Sequence, residues 1–270
     1  MKYTKTREPI VEGLFYPENS SDLKNKIDEL LKKNSQETLD SNCIVVPHGG
    51  YDYSGDYIAT GFNSLKKKEY SRVIIISNVH REFSNSITIP EAEYFKIGSN
   101  SIKVDLDAIK IIQRVGKKIV KSNTPHMEEH GIEVVLPFIN HLYPKAKIVP
   151  ILLGKTVVSL VRNLANIIKE IEDENTLIII SSNFSDFENE KESLKYGELA
   201  LSLIQDGKMG DLVELTRTNK LKTCGSGAIA SLILNGNYNK IRILKEGLTP
   251  KTPLSGDKAT FYATLSFSMS

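Results

Sequence analysis

The chain has 270 residues, with 35 basic and 33 acidic side chains and a net charge of +2; the charges are scattered, so no basic stripe marks a nucleic-acid partner. Hydrophobic residues make up 40% and charged residues 25%, a globular composition, and the longest apolar runs, residues 73–76 and 148–153, are far too short for a membrane span. The charged N-terminus lacks a signal peptide's apolar core, which points to the cytoplasm, and two cysteines make no disulfide framework.

Residues 7–17 read as a segment packed on the domain, and residues 20–31 as an amphipathic helix with Leu23, Ile27, Leu30 and Leu31 on one face. Cys43 to Val46 is an apolar, β-branched run that stops at Pro47, which predicts a buried strand with His48 at its carboxyl end. Gly49 and Gly50 follow without side chains, so the backbone can turn sharply there. His48 is then either a ligand at a strand end, where open α/β sheets gather their ligands, or a histidine that caps a turn. A helix is expected from about residue 55 to 66. Residues 71–80 repeat the design, ending on His80.

Residues 82–104 carry short alternating segments that suggest a β excursion beside the main sheet. Asp105 opens a helical pattern with Leu106, Ile109, Ile112 and Val115. Residues 126–141 read as a polar loop feeding a helix, with a kink or break at Pro137, and on a helix His130 and Glu133 would share a face. A strand over 148–153, a helix over 157–171 and a strand from 177 ending in polar residues come next. Two helices over 190–218 join near Gly207. A turn at residues 223–226 opens a small-residue helix, and strands near 241–244 and 260–267 close the sheet. One α/β domain is the economical reading.

Three strands thus end on polar or ionisable side chains, and Cys224 stands at a helix start, where negative charge is favoured and a thiol can serve as thiolate ligand or nucleophile. His48, His80 and Cys224 together would form a three-ligand set with open positions, suited to iron, copper or zinc. Cys43, inside a β-branched run, belongs to the core. His126 and His141 read as structural or surface histidines, and Tyr51 and Tyr53 flank the His48 loop.

Five blocks in order, Val45-Val-Pro-His-Gly-Gly-Tyr-Asp-Tyr-Ser-Gly55, Glu129-His-Gly-Ile-Glu-Val-Val-Leu-Pro-Phe138, Val149-Pro-Ile-Leu-Leu-Gly154, Ile180-Ser-Ser-Asn-Phe-Ser185 and Cys224-Gly-Ser-Gly-Ala-Ile229, resemble the signatures of the Memo family, whose prokaryotic members are called AmmeMemoRadiSam system protein B. The resemblance implies a single α/β domain with a central mixed, mostly parallel sheet flanked by helices, similar to class III extradiol dioxygenases. It further implies a redox-active metal, iron or copper, held by two histidines and a cysteine that match His48, His80 and Cys224. Asp186, Asn183, His130 and Glu133 are expected to shape the pocket. The family name implies a functional link to a radical-SAM enzyme and an AMMECR-type protein.

The chain also departs from the family pattern. Where the fourth block usually resembles Ser-Ser-Asp-Phe/Leu-Ser/Cys-His, this chain has Asn183 and Asp186, a neutral amide for a carboxylate and a carboxylate for an imidazole. Gly49 stands where alanine is usual, a small change, and Arg81 adds a charge that would favour an anionic ligand. The expected activity is a metal-dependent oxidoreductase of unknown substrate. The alternatives are a peptide- or anion-binding protein without turnover and a zinc hydrolase.

Overall fold

The structure, a computed structural model, describes residues 5–80, 84–187, 189–249 and 259–269. The chain opens with β1 (Thr6–Arg7) and α1 (Ser20–Lys33), whose first turn is capped by the Asn19 side chain. β2 (Cys43–Val46), α2 (Tyr51–Ser64) and β3 (Arg72–Asn78) follow, then β4 (Ile87–Ile89), β5 (Tyr94–Ile97), β6 (Asn100–Lys103) and α3 (Leu106–Val115), capped by Asp105. β7 (Ile119–Lys121), the short α4 (Thr124–Glu128), a 3-10 turn over Glu133–Val135 and α5 (Leu136–Leu142) lead to β8 (Lys147–Leu153), α6 (Val158–Ile171) and β9 (Thr176–Ser181). β10 (Ser185–Phe187), α7 (Glu190–Gln205), α8 (Met209–Arg217) and α9 (Ser226–Leu234) precede the long closing strands β11 (Tyr238–Leu248) and β12 (Ala259–Met269).

Among the described residues the main sheet has nine strands in the order β10-β12-β2-β9-β3-β8-β4-β7, with β11 on the free side of β12. Its centre, β2-β9-β3-β8, is parallel, and β12 and β4 flank that centre antiparallel. The central strands are near-continuous runs of Ile, Val and Leu because both faces are covered. Packing shows how. Gly61 of α2 lies against Val46 and Ile44, whereas Gly225, at the start of α9, lies against Ile180. Ile180 is in register with Val45, which points opposite to Val46. Thus α2 and α9 cover opposite faces, and the expected α/β layering with a mixed sheet holds.

Four local expectations differ from the structure. α2 begins at Tyr51, directly after the N-cap Gly50, so the loop carrying His48 is short. In the segment read as a β excursion, β4 joins the main sheet through β8, and only β5 and β6 form a separate three-stranded sheet with β1. Pro137 stands in the first turn of α5, where a missing amide proton costs nothing, so it starts a helix and does not kink one. The short strands β7 and β10 are additions. Among the described residues no helix is long and apolar enough to cross a membrane.

Candidate metal centre

Because β2, β9 and β3 are adjacent and parallel, their carboxyl ends open on one edge of the sheet. His48 leaves β2 there and His80 leaves β3, with the Ser181-Ser-Asn183 turn of β9 between them. Cys224 is brought to the same place by a tight contact: the Gly225 amide donates to Ser182 Oγ at 2.8 Å. A Cβ on residue 225 would lie 2.4 Å from Ser182 Cβ, so only glycine allows the approach.

One ligand atom from each of His48, His80 and Cys224 lies within 4.8 Å of the other two, a grouping able to hold a metal ion. His48 Nε2 is 3.8 Å from Cys224 Sγ, close to the roughly 3.5–3.8 Å that two ligands on one ion require when metal–nitrogen and metal–sulfur bonds are about 2.0–2.3 Å.

Both imidazoles are held by their other nitrogen. Ser181 Oγ donates to the Gly131 carbonyl at 2.6 Å. Having a single proton, it must accept from His48 Nδ1, 2.9 Å away. That keeps a proton on Nδ1 and turns Nε2 toward Cys224. His80 Nδ1 lies 2.7 Å from Glu129 Oε2, and the His80 amide donates to Oε1 of the same carboxylate. Glu129 is itself buried, so ring and backbone of His80 are clamped by one group. The donor set, with two oriented imidazoles and a thiol, fits a metal ion.

Charge at the cluster is arranged accordingly. Burial pushes the Cys224 thiol up, but the neighbouring His48 and His80 outweigh it and hold the thiol well below its usual value. Burial opposes a charge on His80, yet hydrogen bonding to Cys224 and Glu129 raises it to about 10. Each group thus favours the charged form of the other. The Asn183 amide adds a donor 3.2 Å from Sγ.

A sequence model of Memo-like proteins matches residues 7–264. The chain belongs to the Memo family. It is 29% identical to a MEMO1 family protein of Thermotoga neapolitana over 93% of this chain and 95% of the relative, and 30% identical to one of Thermotoga petrophila over 96% and 98%. Among solved structures, an uncharacterised protein of Escherichia coli K12 shares the fold with a TM-score of 0.53 at 10% identity, covering 83% of this chain and 99% of that one.

The other residues singled out from the Memo-like blocks divide. His130 joins the cluster's surroundings, its ring centroid 5.3 Å from that of His48 and 5.8 Å from that of His80, with Phe15 packed edge-on at 5.2 Å. Asn183 ties two strand ends together, its Oδ1 accepting from the His48 amide at 3.3 Å. Asp186 lies on the edge strand β10 opposite Thr260, outside the ligand grouping.

Glu133 requires a correction. Its carboxylate is taken up by the N-terminal segment: it is ion-paired with buried Arg7 and accepts from the Ile10 and Val11 amides and from the Tyr16 hydroxyl at 2.8 Å. A buried carboxylate needs compensating donors, and the N-terminal segment supplies them. Glu129, four residues earlier, takes the place near the ligands that Glu133 was expected to hold.

Ser181, Glu129 and Arg7 carry roles that motif reading missed. The signal for the first two is positional, since each lies in a signature block, Ser181 at the end of β9 and Glu129 at the end of α4. Arg7 had no local signal: it donates to the His126 and Glu129 carbonyls at 2.8 and 3.0 Å and so braces the loop that carries Glu129 and His130. Cys43 is core, Tyr51 is buried with its hydroxyl on the Val134 carbonyl, Tyr53 is exposed, and His141 pairs with Asp28. His126 is fully enclosed. Arg81 lies outside the described residues.

Proposed function

We propose that this Memo-family protein is a metal-dependent oxidoreductase with His48, His80 and Cys224 as the ligands of a single iron or copper ion. The observation that carries the reading is the pair of tautomer-fixing contacts, Ser181 on His48 Nδ1 and Glu129 on His80 Nδ1, which turn both free nitrogens toward the thiol. Structural histidines have no need of such an arrangement. Bound there, the ion would supply open positions for an oxygen ligand and a redox partner for it.

The chain's own residues supply the rest. Glu129 and Ser181 hold the ligands' orientation, the Asn183 amide supports the thiolate charge, and His130 offers an imidazole for proton transfer beside both ligand rings. Two imidazoles and a thiolate with an open position also suit zinc, and the hydrolase alternative rests on that donor set.

Oxygen uptake separates the readings. The Fe(II)- or Cu(I)-loaded protein is mixed with a panel of catechols under air, with Cys224→Ser as control. Uptake that needs both metal and Cys224 supports the oxidoreductase. Hydrolysis of an activated ester by the zinc form, with no oxygen uptake by the iron or copper forms, would replace it.

A further inference from the structure

Against Gly49, the residue that follows the ligand His48, lies a phenol that none of the roles above uses. In the antiparallel ladder Leu265 pairs with Val45, and continued past Pro47 the register sets Tyr262 abreast of His48. Its side chain lies on the α2 face, the face of Thr264, whose hydroxyl donates to the Tyr57 carbonyl. The hydroxyl reaches the backbone of Gly49: a Cβ placed there would sit 2.1 Å from Tyr262 Oη and 3.0 Å from its ring carbon. The glycine read as a small departure from alanine is thus the space this hydroxyl occupies. Alanine would push the ring out, against Tyr57, which packs edge-on at 5.6 Å.

Tyr262 is only 5% exposed, and its hydroxyl, which makes no hydrogen bond within the described residues, is not among the fully enclosed polar atoms, so a ligand oxygen can reach it. Burial first, then the Asp186 charge and the nearby Tyr57 and Tyr53, hold the phenol well above its ordinary range. At neutral pH it is therefore a proton donor.

We propose that Tyr262 is a ligand-binding residue of this centre, its hydroxyl donating to an oxygen of whatever molecule occupies the metal's open positions, and that Gly49 is required to admit it. The inference deepens the metal-centre reading and rests on it. It assigns the β12 side of the pocket to an oxygen acceptor on the ligand, distinct from the His130 side.

The test uses the Co(II)-loaded full chain without oxygen, with 4-nitrocatechol as a coloured oxygen ligand. The thiolate-to-cobalt absorption reports Cys224 ligation, and the nitrocatechol band reports binding. Tyr262→Phe is expected to keep the cobalt band and the melting temperature while weakening nitrocatechol about tenfold, the worth of one hydrogen bond to a charged oxygen. Gly49→Ala should weaken it comparably, and the double variant should be no worse than Tyr262→Phe, because both remove the same contact. Equal affinity in wild type and Tyr262→Phe, additive losses in the double variant, or no nitrocatechol binding by cobalt-loaded wild type would each overturn the inference and leave the metal centre standing. Absence of the cobalt band from wild type would remove both.

Discussion

Glu129 and Glu133 lie four residues apart and are both withdrawn from water, yet they serve opposite ends of the molecule's economy. Glu133 is compensated by a permanent cation, Arg7, and by main-chain amides, so its charge is fixed and its work is to dock the N-terminal segment. Glu129 meets an imidazole whose own charge depends on what occupies the other ring nitrogen. A buried carboxylate facing an arginine therefore stabilises the fold, and one facing the histidine of a ligand cluster tunes a site. Spacing cannot tell the two apart, because the difference lies in the partner that tertiary structure delivers.

Removing Arg7 is expected to have the largest effect. Arg7→Met leaves Glu133 buried without its cation, and the expected loss is about 3–5 kcal/mol of stability in a denaturant titration. A loss below about 1 kcal/mol would mean that the backbone amides alone suffice.

The next effect comes from pH on the same side of the loop. His126 is enclosed, neither ring nitrogen making a hydrogen bond. Burial, then the Arg7 charge, lower it from 6.5 to about 3, with the Thr88 main chain opposing weakly. A histidine depressed in the folded state stabilises above its unfolded value and loses that contribution as pH falls from about 6.5 toward 3. Between pH 7 and pH 5 the wild type should lose about 2 kcal/mol more than His126→Gln. Parallel pH profiles of the two proteins would show that His126 is not the group responsible.

Glu129→Gln should lower metal affinity by about 10–100-fold in competition with a chelator, since a glutamine keeps one acceptor for the two His80 donors and no longer raises the ring's basicity. Ser181→Ala should have the smallest effect, about tenfold or less, because only a neutral hydroxyl is lost from His48. If Arg7→Met weakens metal more than Glu129→Gln does, the division of labour between the two carboxylates is wrong.

Much of this architecture was legible in the chain. The β-branched runs ending at Pro47 and at Asn78 place His48 and His80 at strand ends without any structure, and the small residues after Cys224 announce a turn into a helix. What could not be read is partner choice. Nothing local distinguishes Glu129 from Glu133, since Arg7 lies more than a hundred residues away along the chain. Gly49 looks neutral until β12 brings Tyr262 across from the other end of the sequence. The earlier start of α2 and the short strands β7 and β10 were hidden for a milder reason, as segments of a few residues carry too little periodicity to register.

His48, His80 and Cys224 are proposed to hold one metal ion. The most direct test is elemental analysis of protein purified without oxygen, reconstituted in parallel with Fe(II), Cu(I) and Zn(II), for wild type, Cys224→Ser and the His48→Ala/His80→Ala double variant. The account predicts a single tightly held ion per wild-type chain, lost in both variants while their melting temperatures stay close to that of the metal-free wild type. Stoichiometric metal retained by the double variant, or none held by the wild type, would contradict it.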